Sequence, residues 1–276
     1  MKSLLKQGKK KLTRQRLMNK HPYHLVDPSP WPITAAFGAY ILVAGLARGM
    51  HKFDSSLLYI GLSIIVLTIA QWWRDVSRES TFQGKHTHKV ENGLRSGMIL
   101  FIVSEVFFFI SFFWAFYHSS LSPNVDVGSI WPPKRIETID PFGVPLLNTT
   151  ILLSSGATIT WSHMSIIRSK WLETNVGIAS TINLGVIFTA LQVLEYESCT
   201  FTMADSIYGS TFFLATGFHG LHVIFGTLFI SSIWWRHNEG HFSATHHFGF
   251  EGRAWYWHFV DVVWLFLFVR VYWWGY

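Results

Sequence analysis

Seven long apolar segments, with charged residues confined almost entirely to the joints between them, constrain this chain more than any other feature. They run over Trp31–Ala47, Ser55–Trp73, Ser96–Tyr117, Val144–Ile167, Thr174–Leu194, Ser206–Trp235 and Ala254–Trp274. A helix needs about 20 mostly apolar residues to cross a bilayer core. A backbone in lipid must satisfy its own hydrogen bonds, so each segment reads as a helix. The fold class is therefore all-α, a polytopic membrane bundle of seven transmembrane helices. The first and last spans are the weakest by this measure. The first has only fifteen uncharged residues from Ile33 to Arg48, and the last carries His258, Asp261 and Arg270.

The charges orient the bundle. With the joints assigned alternately to two sides, 17 of the 22 Lys and Arg residues fall on the side of the N-terminus and 5 on the other. That asymmetry places the N-terminus in the cytoplasm or matrix, and an odd number of spans puts the C-terminus opposite. The chain divides into a basic arm, residues 1–30, and a seven-helix domain, residues 31–276. Half of the 276 residues are hydrophobic and 14% are charged, which fits a membrane protein. The net charge of +6 comes from the first 20 residues, with eight cations and no acid. Such an arm suits anionic lipid or a neighbouring subunit better than nucleic acid. It also has the basic, acid-free character of a mitochondrial targeting peptide.

The single cysteine, Cys199, excludes an intrachain disulfide, a Cys-rich zinc site, a four-cysteine iron–sulfur cluster and a two-cysteine copper centre. It reads as a small apolar residue. Asn148-Thr149-Thr150 matches a glycosylation acceptor but abuts the fourth span, where the match reads as chance. Pro28, Pro30 and Pro32 stop any helix from running out of the arm. Arg74, Asp75, Arg78 and Glu79 lie at helical spacing, so the second span continues as a helix with paired charges. The longest joint, Ser119–Gly143, carries four prolines and reads as an ordered cap. The joint between spans four and five is short, which makes those helices antiparallel neighbours. The closing Tyr272-Trp273-Trp274-Gly275-Tyr276 reads as an interfacial aromatic belt.

Candidate functional residues are those that lipid would reject. Glu105 lies inside the third span, where a carboxylate is costly. Two readings are open: a protonatable group in a proton relay, or a protonated carboxyl that hydrogen-bonds a neighbouring helix. His219 and His222 share one face of the sixth span. They suit interhelical hydrogen bonds better than haem or metal ligation, because histidines three apart cannot clasp one iron from opposite sides. Further partners for them are His163, His258, Glu195 and Asp261. No paired Glu-x-x-His motifs of a di-metal bundle occur within the spans, and no metal site is expected. His258 and Asp261, three apart in the seventh span, read as a structural clasp. Arg78, Glu79, His86, Arg95 and Arg236 gather at the N-terminal side of the membrane beside Trp72 and Trp73. Specific phospholipid binding and ordinary snorkelling of long side chains are both open. No nucleophile motif or phosphate loop is present, so no catalytic residue is expected.

Several stretches together resemble the cytochrome c oxidase subunit 3 family in its mitochondrial form. They include His24-Leu25-Val26-Asp27-Pro28-Ser29-Pro30-Trp31-Pro32, Trp72-Trp73-Arg74-Asp75, Ser104-Glu105-Val106 and Trp131-Pro132-Pro133. Gly217-Phe218-His219-Gly220-Leu221-His222, His246-His247-Phe248-Gly249 and His258-Phe259-Val260-Asp261-Val262-Val263-Trp264 complete the set, in order over residues 21–276. The resemblance implies two helix groups, the first two spans and the last five, with a V-shaped cleft that holds phospholipids. It implies a non-redox subunit of a proton-translocating terminal oxidase in the mitochondrial inner membrane, with the N-terminus in the matrix and the C-terminus in the intermembrane space. Haem and copper then sit in partners, a haem–copper catalytic subunit and a copper-bearing subunit, with accessory subunits alongside. Glu105 matches the family's membrane-buried, carbodiimide-reactive glutamate. Trp73, Arg78, Glu79, His86, Arg95 and Arg236 fall on or near its lipid-contact positions. The implied role is to stabilise the catalytic subunit, sustain proton uptake and bind lipid. Two departures stand out: the arm is longer than usual, and Met164 follows His163 where the family commonly has a second histidine. A stand-alone transporter using Glu105, His219, His222 and Asp261 is the competing reading. The spans lack the Gly/Pro-interrupted pairs that such a fold would show.

Overall fold

The computed structural model describes residues 21–52 and 54–276, so the first 20 residues of the basic arm lie outside it. Among the described residues every long element is a helix. They are α1 (Trp31–Met50), α2 (Ser56–Thr81), α3 (His88–Leu121), α4 (Val144–Ile167), α5 (Trp171–Ser198), α6 (Ser206–Asn238) and α7 (Phe248–Leu267). A π-helical turn, Phe268–Trp273, follows α7. The helices outrun the apolar segments, because charged ends at the interface can stay helical where lipid no longer demands it. At 1.5 Å per residue α3 and α6 are each about 50 Å long, well beyond a hydrocarbon core of about 30 Å.

Six of the described helices are long and apolar enough to cross a membrane, counting the π-turn with α7. The first and last spans are among them and are the least apolar of the six, as expected. The span that falls short is α4, diluted by Asn148, four threonines and four serines. Its hydroxyls return to the helix's own carbonyls, as in Thr149 Oγ1 to Pro145 O (2.8 Å) and Ser155 Oγ to Leu152 O (2.6 Å). Its small polar face lies against neighbouring helices, while Leu146, Leu147, Leu153 and Trp161 stay exposed. Low hydropathy in α4 thus goes with a polar face packed on protein.

The described residues form two compact units that divide between Leu94 and Arg95. In the first, α1 and α2 pack antiparallel. The pairing is anchored at one end by Trp31 Nε1–H donating to Asp75 Oδ2 at 2.7 Å, and along its length by Thr68 Oγ1 against Thr34 Oγ1 at 3.3 Å. At the other end a Cβ on Gly45 would collide with the Leu58 backbone, and one on Gly61 with the Leu42 backbone. Glycine lets the two backbones touch, the usual device where apolar burial cannot drive association. Residues 21–30 are tied down within this unit by Lys85 Nζ on Asp27 Oδ2 (3.2 Å) and by Thr87 Oγ1–H donating to Pro22 O (2.5 Å).

The second unit is built around two tryptophans of α7. Trp257 Nε1–H donates to Ser155 Oγ at 2.8 Å, and Trp264 Nε1–H to Thr149 Oγ1 at 2.9 Å, so α7 runs antiparallel to α4. Trp257 is fully buried, with Gly185 of α5 and Gly226 of α6 against its ring. The three-residue joint 168–170 makes α4 and α5 antiparallel, as expected, with Ser162 Oγ–H donating to Thr174 O (2.9 Å) and Thr158 Oγ1 facing Thr181 Oγ1 (2.7 Å). The joint after α3 is ordered: Trp131 lies edge-on to Phe116 and beside Tyr208, and Thr200 Oγ1–H donates to Glu137 O. One feature of the C-terminus departs from the aromatic-belt expectation. Trp273, Trp274 and Tyr276 are exposed, but Tyr272 is buried and its hydroxyl donates to Glu195 Oε1 at 2.7 Å. The π-turn carries Tyr272, and the hydroxyl finds a buried partner rather than an interface.

Candidate functional site

Glu105 lies midway along α3 and His222 midway along α6, the depth at which a bilayer is driest. His222 Nδ1 lies 2.7 Å from Phe218 O, and a carbonyl only accepts, so Nδ1 carries a proton. The opposite nitrogen, Nε2, lies 2.8 Å from Glu105 Oε2. That contact closes in two ways: a protonated carboxyl donates to neutral imidazole, or imidazolium donates to carboxylate. In either case one proton is held between the two atoms. Phe109 lies edge-on to the imidazole at 4.9 Å, and Phe108 and Tyr256 stack on it at 6.1 and 6.2 Å. Aromatic walls of this kind strengthen the polar contact by excluding water.

The sequence paired Glu105 with no particular residue, since 117 positions separate it from His222. The available signal was their common position at the centres of two long spans. His219, one turn earlier in α6, is not part of the pair. Its Nε2 donates to Val260 O at 3.2 Å, and its ring lies between Phe188 and Trp264. His258 and Asp261 meet at 3.5 Å, and the other nitrogen of His258 reaches Thr160 Oγ1 of α4 at 3.2 Å. Both line an open groove of about 720 Å³ along α4 and α7, with Gly156, Met164 and Arg168. Met164 thus forms part of the groove wall.

The expected lipid-contact residues are divided between the two units. In the first, His24 Nε2 lies 3.6 Å from Glu79 Oε2 and the His24 ring is 5.7 Å from that of His86. Trp73 and Arg78 are exposed. In the second, Arg95 engages one oxygen of Glu251, Oε2, through Nε (3.2 Å) and Nη2 (3.1 Å). Arg236 is buried, its guanidinium 4.7 Å from the centre of the Phe242 ring. Sequence spacing also left unlinked a cluster of His163, His247 and Glu251, whose potential ligand atoms all lie within 4.8 Å of one another. Asn148 is fully buried, which removes it as a glycosylation acceptor in the folded chain. Cys199 is partly buried against the core, and burial pushes its thiol above the usual range, the opposite of a nucleophile's need.

Compared with known proteins, residues 21–276 match the family described as cytochrome c oxidase subunit III. The chain belongs to that family. Among subunit 3 relatives, that of Drosophila melanogaster is 58% identical over 257 residues, covering 93% of this chain and 98% of that protein. The Aedes aegypti subunit 3 is 59% identical over 255 residues, covering 92% of this chain and 97% of its own length. That of the shark Scyliorhinus canicula is likewise 59% identical over 255 residues, with 92% and 98% covered. The match to the subunit III family begins at His21, just before the first of the motifs that carried the resemblance, at His24. The positions described above are therefore positions of a subunit III chain.

Proposed function

We propose that this chain is the non-redox subunit 3 of a mitochondrial cytochrome c oxidase, the complex that passes electrons from cytochrome c to oxygen and pumps protons. The family match over residues 21–276 carries this reading. In it, haem and copper belong to the two partner core subunits, and this chain stabilises the catalytic subunit, supports proton uptake and binds phospholipid. The N-terminus faces the matrix, as the positive charge of that side favours. The first two helices and the last five form separate groups, a division supported by the separation of the chain into two units. The apolar faces of α1, α2 and α3 are left largely unburied by the chain itself, which leaves them to lipid and to partner subunits. The test is mass spectrometry of what co-purifies in mild detergent. A haem-bearing core at equal stoichiometry supports the reading, and recovery of the chain alone would end it.

Proton support is assigned to Glu105 with His222, because that contact holds one proton at mid-membrane. The role is a reservoir beside the catalytic subunit rather than an obligatory conduit, since no further carboxylate of α3 lies within two turns of Glu105. Oxygen consumption and proton release by a Glu105→Gln complex would separate these roles. An assembled complex with no turnover at all would contradict the reservoir.

A further inference from the structure

We propose that His163, His247 and Glu251 form a binding site for a zinc-class divalent cation. The three come from separate parts of the chain: the C-terminal end of α4, the residue that precedes α7, and the first turn of α7. His247 Nδ1 lies 2.9 Å from Ser243 O, so that nitrogen donates and the ring's other nitrogen is left to offer a lone pair. This is the arrangement by which a carbonyl fixes the tautomer of a metal-ligating histidine. The free Nε2 points at Glu251 Oε1, 3.4 Å away. His163 Nε2 approaches the same oxygen at 3.9 Å, is itself buried, and has no hydrogen-bond partner. Its ring is held by stacking on Phe250, at 5.5 Å between centres. Bonds of about 2.0–2.1 Å to a tetrahedral ion place ligand atoms about 3.4 Å apart. The His247–Glu251 edge already has that length; His163 has to move in, by about half an ångström toward Glu251 Oε1 and toward His247 from within the 4.8 Å that spans the three ligand atoms.

Two nitrogens and one carboxylate oxygen suit zinc, and three protein ligands leave a fourth position for water. The site lies close to the surface, with the His163 and Glu251 side chains 28% and 17% exposed, so that water has a short path to the fourth position. Arg95 binds Glu251 through Oε2 and leaves Oε1 to the ion. Its positive charge, with the guanidinium groups of Arg236 and Arg253 that flank Gly249, opposes a cation. The site therefore binds zinc more weakly than a closed structural site and exchanges it readily. The sequence concealed the set because 84 residues separate His163 from His247, whereas His247 and Glu251 alone are an ordinary i,i+4 pair.

The test uses the intact oxidase complex and zinc ion alone. Crystals of the unmodified complex equilibrated with zinc chloride, with data collected at the zinc absorption edge, should show an anomalous peak bonded to His163 Nε2, His247 Nε2 and Glu251 Oε1. No peak there, in crystals whose other zinc positions are filled, overturns the site. A His163→Gln complex keeps the Arg95–Glu251 contact, and by equilibrium dialysis should bind one zinc fewer per haem pair than the unmodified complex. An unchanged count also overturns it. If His163→Gln fails to assemble, the anomalous map of the unmodified complex decides alone.

Discussion

At the scale of single residues, the Glu105–His222 contact separates chemistry from structure. Glu105→Gln leaves an amide N–H that can donate to His222 Nε2, so assembly should survive and oxygen-reduction rate should change little. Glu105→Ala strands a half-buried imidazole nitrogen, a loss of about 1–3 kcal/mol. A thermal scan of the purified complexes should rank Ala well below Gln. Asp205 provides a pH test away from the membrane. The Thr202 backbone N–H at 2.7 Å, helped by the Thr202 hydroxyl at 2.9 Å, lowers its carboxyl pKa. A lowered folded-state pKa contributes stability that is present above the unfolded Asp value and lost as pH falls through the folded one. Hydrogen exchange at the Thr202 amide should therefore show lower protection, after correction for intrinsic rate, once pH drops below the ordinary Asp range. Equal protection on both sides of that range would show that the turn holds without the charge. No residue pattern announced this bond, since Asp205 before a helix reads as an N-cap and instead turns its carboxylate back to Thr202.

At the scale of helices, close approach makes two substitutions informative. Gly226→Ala puts a methyl 2.8 Å from Cε3 of the buried Trp257 ring, with Gly185 of α5 blocking retreat on the other side. Overpacking of this kind costs about 1–3 kcal/mol, and Trp257→Ala about 3–5 kcal/mol. Both should lower the midpoint of thermal dissociation of the subunit from its complex. Gly45→Val drives a side chain into the Leu58 backbone and should separate α1 from α2. A cysteine pair engineered at Thr34 and Thr68, whose hydroxyls meet across that interface at 3.3 Å, should lose its crosslinking yield in the Gly45→Val chain. A retained yield would mean the helices slide rather than part. The helices themselves were legible from apolar length, because lipid forces any such run to satisfy its own backbone. The π-turn that carries Tyr272 to Glu195 was not, because an aromatic run at a chain end looks alike whether it faces headgroups or a buried acid.

At the scale of the molecule, the exposed apolar faces of α1, α2 and α3 need cover that this chain does not supply. Stripping the subunit from the oxidase should leave the haem absorption spectrum intact, since no haem ligand is assigned here, while turnover becomes less durable. A lost or shifted haem band would move a cofactor into this chain. The histidines of α6 already have other occupations: both ring nitrogens of His222 are engaged, and His219 is held by Val260 and two aromatic rings.

By itself the sequence determined that the chain is a polytopic helical protein, which side of the membrane its charges favour, and which family its motifs match. Those follow from local rules, in which apolar length, charge placement and short motifs act within a few residues of one another. The tertiary structure alone decided which polar residues meet. Glu105 with His222, Tyr272 with Glu195, and His163 with His247 and Glu251 join positions far apart in the chain. It also decided where the polar face of α4 goes: its hydroxyls bond back to their own helix, and Asn148, Thr149, Ser155 and Ser162 are buried against its neighbours, a pairing that apolar length alone does not specify.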